Sequence, residues 1–236
     1  MNPQDKRDVI VALDFPTAKE TLGFLELFRN EKPFVKIGME LFYAEGSQIV
    51  KDIRARGHKV FLDLKLHDIP NTVKRAMAVL SGLGADMINC HAAGTAAMMK
   101  AALEGLTRPD GSRPLLIAVT QLTSTDGDAL RGELLIDTPM ADTVTRYAQN
   151  AQRAGLDGVV CSPLEAAGIH GACGRGFLTV TPGIRFAGAS ADDQARVTTP
   201  TLARELGSDY IVVGRSITRA DDPAAAYHRC VTEFIG

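Results

Sequence analysis

Short runs of apolar, largely β-branched residues recur along the chain and alternate with longer stretches of helical pattern. Strands are expected at Val9 to Leu13, Phe34 to Gly38, Lys59 to Lys65, Met87 to His91, Leu115 to Gln121, Gly158 to Cys161, Leu178 to Thr181 and Tyr210 to Gly214, with helices filling the gaps. Gly57, Gly84, Gly155 and Gly207 each stand shortly before a strand, where a helix C-terminal cap is expected. Strand and helix in alternation mean βα units and a parallel sheet. Eight such units in 236 residues fit a closed (β/α)8 TIM barrel, a single α/β domain covering residues 1–236. An open doubly wound sheet is the alternative, weakened by the lack of Gly-x-Gly-x-x-Gly after the first strand. No Gly/Ser linker or low-complexity run divides the chain.

One strand breaks the apolar pattern. From Lys59 to Thr72 the chain reads Lys-Val-Phe-Leu-Asp-Leu-Lys-Leu-His-Asp-Ile-Pro-Asn-Thr, which sets Asp63, Lys65 and Asp68 into an apolar run. Alternation puts Asp63 and Lys65 on one face and Leu62, Leu64 and Leu66 on the other. In a parallel sheet covered on both faces, each enclosed ion costs several kcal/mol before pairing offsets it. A structural ion pair at a strand end is the plain reading. More charges stand at neighbouring strand ends, however. Asp14 is in phase with Ala12 and Ile10, and Lys36 lies between Val35 and Ile37. Barrel enzymes carry their chemistry at the C-terminal ends of the strands. Charges from three successive strands are expected there as one array of carboxylates and ammonium groups, each stabilising its neighbours' charged forms.

A second constellation falls at strands seven and eight: Thr181-Pro182-Gly183-Ile184-Arg185 and Val213-Gly214-Arg215-Ser216-Ile217. Glycine lets backbone N–H groups approach an anion, a short helix after Gly214 would add its positive end, and Arg215 can grip phosphate oxygens bidentately. The bland reading makes both glycines turn residues and Arg215 a solvated charge. Between the motifs, the polar stretch at about 184–198 is either a cover for a phosphate, with Gln194 in contact, or a plain connector.

Composition changes this picture little. The chain is 45% apolar and 23% charged, which marks an ordinary globular protein, and its net charge of -2 gives no global basic field for nucleic acid or anionic membrane. Phosphate recognition must therefore be local. Cys90, Cys161, Cys173 and Cys230 show neither zinc-ligand spacing nor a disulfide framework, which fits a reducing compartment. With no signal-peptide core and no membrane-length apolar run, a cytoplasmic location is expected. His58, His170 and His228 are expected on the surface or on helices, and His67 and His91 near strand ends; none is assigned a catalytic role. Met98 and Met99 are read as helix packing.

Taken together, these segments resemble orotidine 5′-phosphate decarboxylase of the shorter bacterial type. The block from Asp63 to Thr72, Val-Ala-Leu-Asp14, Phe-Val-Lys36-Ile-Gly, Gln-Leu-Thr123-Ser, Thr-Pro-Gly-Ile-Arg185, Gln194 and Val-Gly-Arg215-Ser-Ile occur in family order along nearly the whole chain. The resemblance implies decarboxylation of orotidine 5′-phosphate to uridine 5′-phosphate and CO2 without metal or cofactor. It also implies a homodimer in which Asp68 completes the neighbouring site. By the same resemblance Lys65 donates the proton to C6, Asp63 lies beside the departing carboxylate, and Lys36 with Asp68 completes the charged array. Asp14 and Thr72 would hold ribose hydroxyls, Thr123 the pyrimidine edge, and Arg185, Gln194, Gly214 and Arg215 the phosphate. The nearest rival is a magnesium-dependent sugar-phosphate decarboxylase or aldol-type synthase with the same Asp-x-Lys-x-x-Asp core, disfavoured because Lys36 places a cation where a metal site wants a carboxylate. A phosphate-binding barrel without catalysis is the reading from another class.

Overall fold

In the computed structural model, which describes residues 7–28, 31–187 and 198–236, the apolar runs form a closed parallel barrel. Its strands are β1 (Asp8–Ala12), β2 (Phe34–Ile37), β3 (Val60–Leu66), β4 (Met87–His91), β5 (Leu115–Val119), β6 (Gly158–Val160), β7 (Leu178–Thr181) and β8 (Tyr210–Val213), and β8 pairs back to β1. The helices are α1 (Ala18–Leu25), α2 (Met39–Glu45), α3 (Gln48–Ala55), α4 (Pro70–Ser81), α5 (Thr95–Leu106), α6 (Gly127–Gly132), α7 (Met140–Arg153), α8 (Pro163–Cys173), α9 (Pro200–Glu205), α10 (Arg215–Thr218) and α11 (Pro223–Phe234). This is the expected (β/α)8 TIM barrel. Strand ends differ from expectation by a residue or two. β5 stops at Val119, short of Gln121; just beyond it the Thr120 N–H still reaches the carbonyl of Val160 at 3.1 Å, joined there by the Thr120 hydroxyl at 2.9 Å. No helix among the described residues is long and apolar enough to cross a membrane.

Strand alternation divides the core in two. Ile10, Ala12, Phe34, Phe61, Met87, Ile117, Val180 and Val212 fill the barrel interior. Their neighbours Val9, Val11, Val35, Ile37, Leu62, Ile88 and Leu116 face outward and pack under the helices. Lys36 pairs with Ala12 on one side and Phe61 on the other, so it belongs to the inward row. The apolar interior thus ends in a charged layer at the C-terminal mouth.

A recurrent device closes the opposite, N-terminal end. Gly57, Gly84, Gly155 and Gly207 have φ of 89°, 81°, 90° and 91°, the left-handed conformation expected for chain reversal after a helix. Two residues beyond the last three stand Asp86, Asp157 and Asp209, immediately before β4, β6 and β8. Each carboxylate accepts a backbone N–H from the start of the preceding strand: Val60 at 2.8 Å, Leu116 at 2.7 Å and Thr179 at 2.8 Å. A basic side chain meets each one as well, Arg54, Arg113 and His170 respectively. These aspartates extend the hydrogen-bond ladder past the strand ends.

One histidine departs from expectation. His58 is buried rather than on the surface or a helix, its ring Nδ1 2.9 Å from the carbonyl of Pro33. His170 lies on α8 as expected but faces inward to Asp209 and the carbonyl of Gly207, where a charged or polar ring satisfies groups an apolar one would orphan. His228 is exposed on α11, and Met98 and Met99 are fully buried in helix packing.

Candidate active site

The charged layer is a chain of alternating sign. Asp14 follows β1, Lys36 lies in β2, and Asp63 and Lys65 in β3. Lys36 Nζ sits 3.2 Å from Asp14 Oδ1 and 3.4 Å from Asp63 Oδ2, while Lys65 Nζ is 2.7 Å from Asp63 Oδ1. Side-chain exposure is 61% for Asp14, 12% for Lys36, 11% for Asp63 and 26% for Lys65, so Asp63 and Lys36 form the enclosed centre. Burial opposes ionisation of Asp63, yet the charges of Lys36 and Lys65, with hydrogen bonds from Lys65 and Asn89, hold its carboxyl below the usual range. Burial likewise opposes the Lys36 ammonium, but Asp63 and Asp14 raise its pKa above the ordinary value. Both ions persist at neutral pH. Gly38 keeps the array compact: a Cβ there would lie 3.2 Å from Lys36 Nζ.

Simple alternation placed Asp63 and Lys65 on one face; the structure reaches that result by another route. Leu62 pairs with Ile88 and Leu66 with Cys90, so three residues of β3, Asp63 to Lys65, stand against Asn89 alone. This wide bulge inserts two residues, an even number, and leaves the inward phase intact. Lys65 pays with a φ of 52°, in the left-handed region that non-glycine residues avoid.

The second constellation assembles opposite. Gly183, after β7, has φ 82°. Arg185 N–H donates to the carbonyl of Thr198 at 2.9 Å and Thr198 N–H to that of Gly183 at 3.0 Å, a bridge that fixes both ends of the intervening segment. Phe186 lies 4.2 Å beneath the Arg229 guanidinium of α11. Gly214 leads into α10, which is one turn of four residues, Arg215–Thr218. That is too short for the helix-end charge expected from sequence, because the macrodipole is a sum over many peptides. The groups that could meet an anion here are the backbone at Gly183 and Gly214 and the guanidinium groups of Arg185 and Arg215.

A cavity of about 350 Å³ joins the two constellations. Asp14, Lys36, Asp63 and Lys65 line one side, Gly183, Arg185, Gly214 and Arg215 the other, with Gln121, Thr123 and Ser124 from the loop after β5 and an apolar floor that includes Phe61 and Val212. Two expected residues lie outside it. Asp68 is exposed, its Oδ1 taking the Ile69 N–H at 2.6 Å, and Thr72 is exposed on the first turn of α4. The single-chain array therefore excludes Asp68, because the chain turns outward into α4 beyond Leu66. Gln194 and most of the segment at 184–198 fall outside the described residues. Among the described residues, no three His, Cys, Asp or Glu side chains converge as a metal site would require. The rings of His67 and His91 lie 5.4 Å apart, tilted by 34°, and neither residue lines this cavity.

Asn89 escaped the sequence reading. It is fully buried in β4, donates from Nδ2 to Asp63 Oδ1 at 2.7 Å and accepts the Lys65 backbone N–H at 2.8 Å. The available signal was a lone asparagine, poor in strand propensity, at an inward position of Met-Ile-Asn-Cys-His.

Comparison with known proteins places this geometry. The family model for orotidine 5′-phosphate decarboxylase / HUMPS matches residues 7–230. The chain is 60% identical over 230 residues to orotidine 5′-phosphate decarboxylase of Bacillus caldolyticus, covering 96% of this chain and 94% of that protein. It is 58% identical to the Geobacillus kaustophilus enzyme of the same name, with the same coverage. The crystal structure of orotidine 5′-phosphate decarboxylase from Lactobacillus acidophilus is similar at a TM-score of 0.85 and 45% identity, covering 97% of this chain and 99% of that one.

Proposed function

The chain belongs to the orotidine 5′-phosphate decarboxylase / HUMPS family, and from that premise we propose that it is a carbon–carbon lyase converting orotidine 5′-phosphate to uridine 5′-phosphate and CO2 in pyrimidine nucleotide synthesis. The observation that carries this reading is the lysine-ended array, with Lys65 Nζ 2.7 Å from Asp63 Oδ1 in one cavity with Arg185 and Arg215. The C6–carboxylate bond breaks, its electron pair stays on C6, and Lys65 delivers a proton to that carbon. The pyrimidine offers no ordinary electron sink, so the charge must be met where it develops. A unit charge at about 4 Å from an ammonium gains about 4 kcal/mol at an effective dielectric near 20. Preorganised charge is commonly the largest catalytic contribution, and a positioned acid adds about 10²–10⁴ in rate. Asp63 beside the departing carboxylate supplies repulsion of the same order, relieved as neutral CO2 leaves; neighbouring lysines reduce it, and it ranks below stabilisation of the carbanion.

The remaining roles are those the family resemblance implies, with Asp14, Thr123, Arg185, Gly214 and Arg215 lining the cavity and Thr72 outside it. Asp14 and Thr72 hold ribose hydroxyls, Thr123 the pyrimidine edge, and Gly214, Arg215, Arg185 and Gln194 the phosphate, with the segment at about 184–198 closing over it. Remote phosphate binding energy orders the reacting end. Asp68, exposed and turned away from its own cavity, completes the site of a second subunit in a homodimer. The protein works in the cytoplasm. The rival magnesium-dependent chemistry on a sugar phosphate fits poorly, because the Lys36 ammonium already occupies the space between Asp14 and Asp63, at 3.2 and 3.4 Å.

The test is direct: chelator-treated protein mixed with orotidine 5′-phosphate, with the pyrimidine absorbance followed in time. Conversion to uridine 5′-phosphate, undiminished by the chelator, is expected. No conversion, or conversion only on adding a divalent ion, would refute the reading.

A further inference from the structure

Lys65 occupies a backbone conformation that must be enforced. Left-handed φ brings Cβ close to the next carbonyl, and non-glycine residues keep such geometry only where the surroundings over-determine it. Here the enforcing group is visible. Across the bulge the Lys65 N–H goes to the side-chain carbonyl of Asn89 at 2.8 Å. The other end of the same amide donates to Asp63 Oδ1 at 2.7 Å. The two ends cannot be exchanged: a flipped amide would set oxygen against carboxylate and NH2 against N–H.

Asn89 therefore grips both β3 residues of the array at once, from a fully buried position that does not line the cavity. Asp63 Oδ1 receives Asn89 Nδ2 and Lys65 Nζ, which leaves Oδ2 to Lys36. Rotation of the carboxylate would break contacts on both sides. Relaxation of Lys65 to extended backbone would redirect its side chain and withdraw the ammonium.

We infer that Asn89 is a positioning residue: its amide holds the left-handed turn at Lys65 and the orientation of the Asp63 carboxylate, and so aims the Lys65 ammonium at the reacting carbon. The inference rests on the decarboxylase reading for its last step, whereas the hold on the backbone is independent of substrate.

Two variants separate the functions of the amide. Asn89→Ala removes donor and acceptor; Asn89→Asp keeps the acceptor for Lys65 N–H but loses the donor and faces Asp63 with a second carboxyl group. Three quantities are read: kcat on orotidine 5′-phosphate, affinity for uridine 5′-phosphate, and hydrogen exchange of the Lys65 amide in ligand-free protein. Asn89→Ala should lose about 10²-fold in kcat, the scale of an ångström's misplacement, with product affinity within about threefold of wild type and faster Lys65 exchange. Asn89→Asp should lose at least about tenfold in kcat with the Lys65 amide still protected, and it carries the test if Asn89→Ala does not fold. Wild-type kcat in either folded variant, or a loss of kcat matched by an equal loss of product affinity, would overturn the assignment. Failure of wild-type protein to act on orotidine 5′-phosphate would instead reject the decarboxylase reading, and Lys65 exchange would still report whether Asn89 holds the turn.

Discussion

Aspartates stand at both ends of this barrel, and their company differs in kind. At the N-terminal end, Asp86, Asp157 and Asp209 each accept a backbone N–H of the neighbouring strand and each return their own N–H to that strand's carbonyl, at 2.8, 2.9 and 3.2 Å. They are part of the sheet. At the C-terminal end, the partners of the Asp14 and Asp63 carboxylates among the described residues are side chains, chiefly the ends of Lys36 and Lys65, and both face a cavity. The first arrangement spends charge on closing the barrel. The second keeps charge where a ligand can reach it, and accepts a strained Lys65 backbone to do so. Burial or ion pairing alone does not separate the two; what does is whether the carboxylate is satisfied by main chain or by side chain.

The largest effect is expected from removing the lysine at the strained position. Lys65→Ala should abolish measurable decarboxylation while affinity for uridine 5′-phosphate stays within about tenfold, since proton delivery and charge stabilisation are lost together. Lys65→Gly should be equally inactive yet more stable than Lys65→Ala, by up to about 1 kcal/mol, because glycine adopts a φ near 52° without steric cost. Thermal unfolding of the two variants measures the difference. Substantial residual turnover in either would defeat the proton-donor role, and equal stability would remove the argument that the mouth of the barrel gives up stability for function.

The mirror experiment is Asp157→Ala. It strands the Leu116 N–H and frees Arg113, whose Nη2 lies 2.9 Å from Asp157 Oδ1. An orphaned buried donor costs about 1–3 kcal/mol, and at this chain length about 2 kcal/mol lowers Tm by roughly 4–8 °C. Below its melting range the variant should keep wild-type kcat. A large fall in kcat with unchanged Tm would erase the distinction between the two ends.

Most of the frame was legible because it rests on period and turn chemistry. Apolar runs located every strand to within about two residues, and the four glycines before strands took the positive φ required of them. The charges of Asp14, Lys36, Asp63 and Lys65 were legible because ions in apolar strands are costly and therefore informative. What could not be read was whatever depends on register. The bulge at Asp63 to Lys65 exists only relative to β4, so nothing in β3 alone announces the left-handed lysine or ties Asn89 to it. His58 was misjudged for a similar reason, its partner Pro33 lying 25 positions away in the chain, and the Asp209 toward which His170 turns from α8 lies 39 positions away. Asp68 and Thr72 belong to the family block by sequence, yet the chain turns outward before reaching them.

The smallest effect separates the ends by pH. At the N-terminal end, the hydrogen bond with Asp209 raises the His170 pKa above its usual 6.5, against the opposing effect of burial. A raised folded-state pKa means that this contribution to stability is whole below about pH 6.5 and is lost as pH rises through the folded value. The mouth titrates elsewhere. Asp63, with its pKa lowered, loses its contribution only as acid carries the pH down from about 4 through the depressed value, and Lys36, with its pKa raised, only above about pH 10.4. His58 and His91, which burial above all holds below 6.5, act in the opposite sense and lose stability as pH falls. The diagnostic is therefore the difference between wild type and His170→Gln, followed as Tm from pH 6 to 8. The wild-type advantage should shrink by an amount on the order of 1–3 °C as pH rises, while the ratio of their kcat/KM values stays flat. A Tm difference constant across that range would show that the His170–Asp209 contact is not a charged pair, leaving the N-terminal end held by its backbone-capping carboxylates alone.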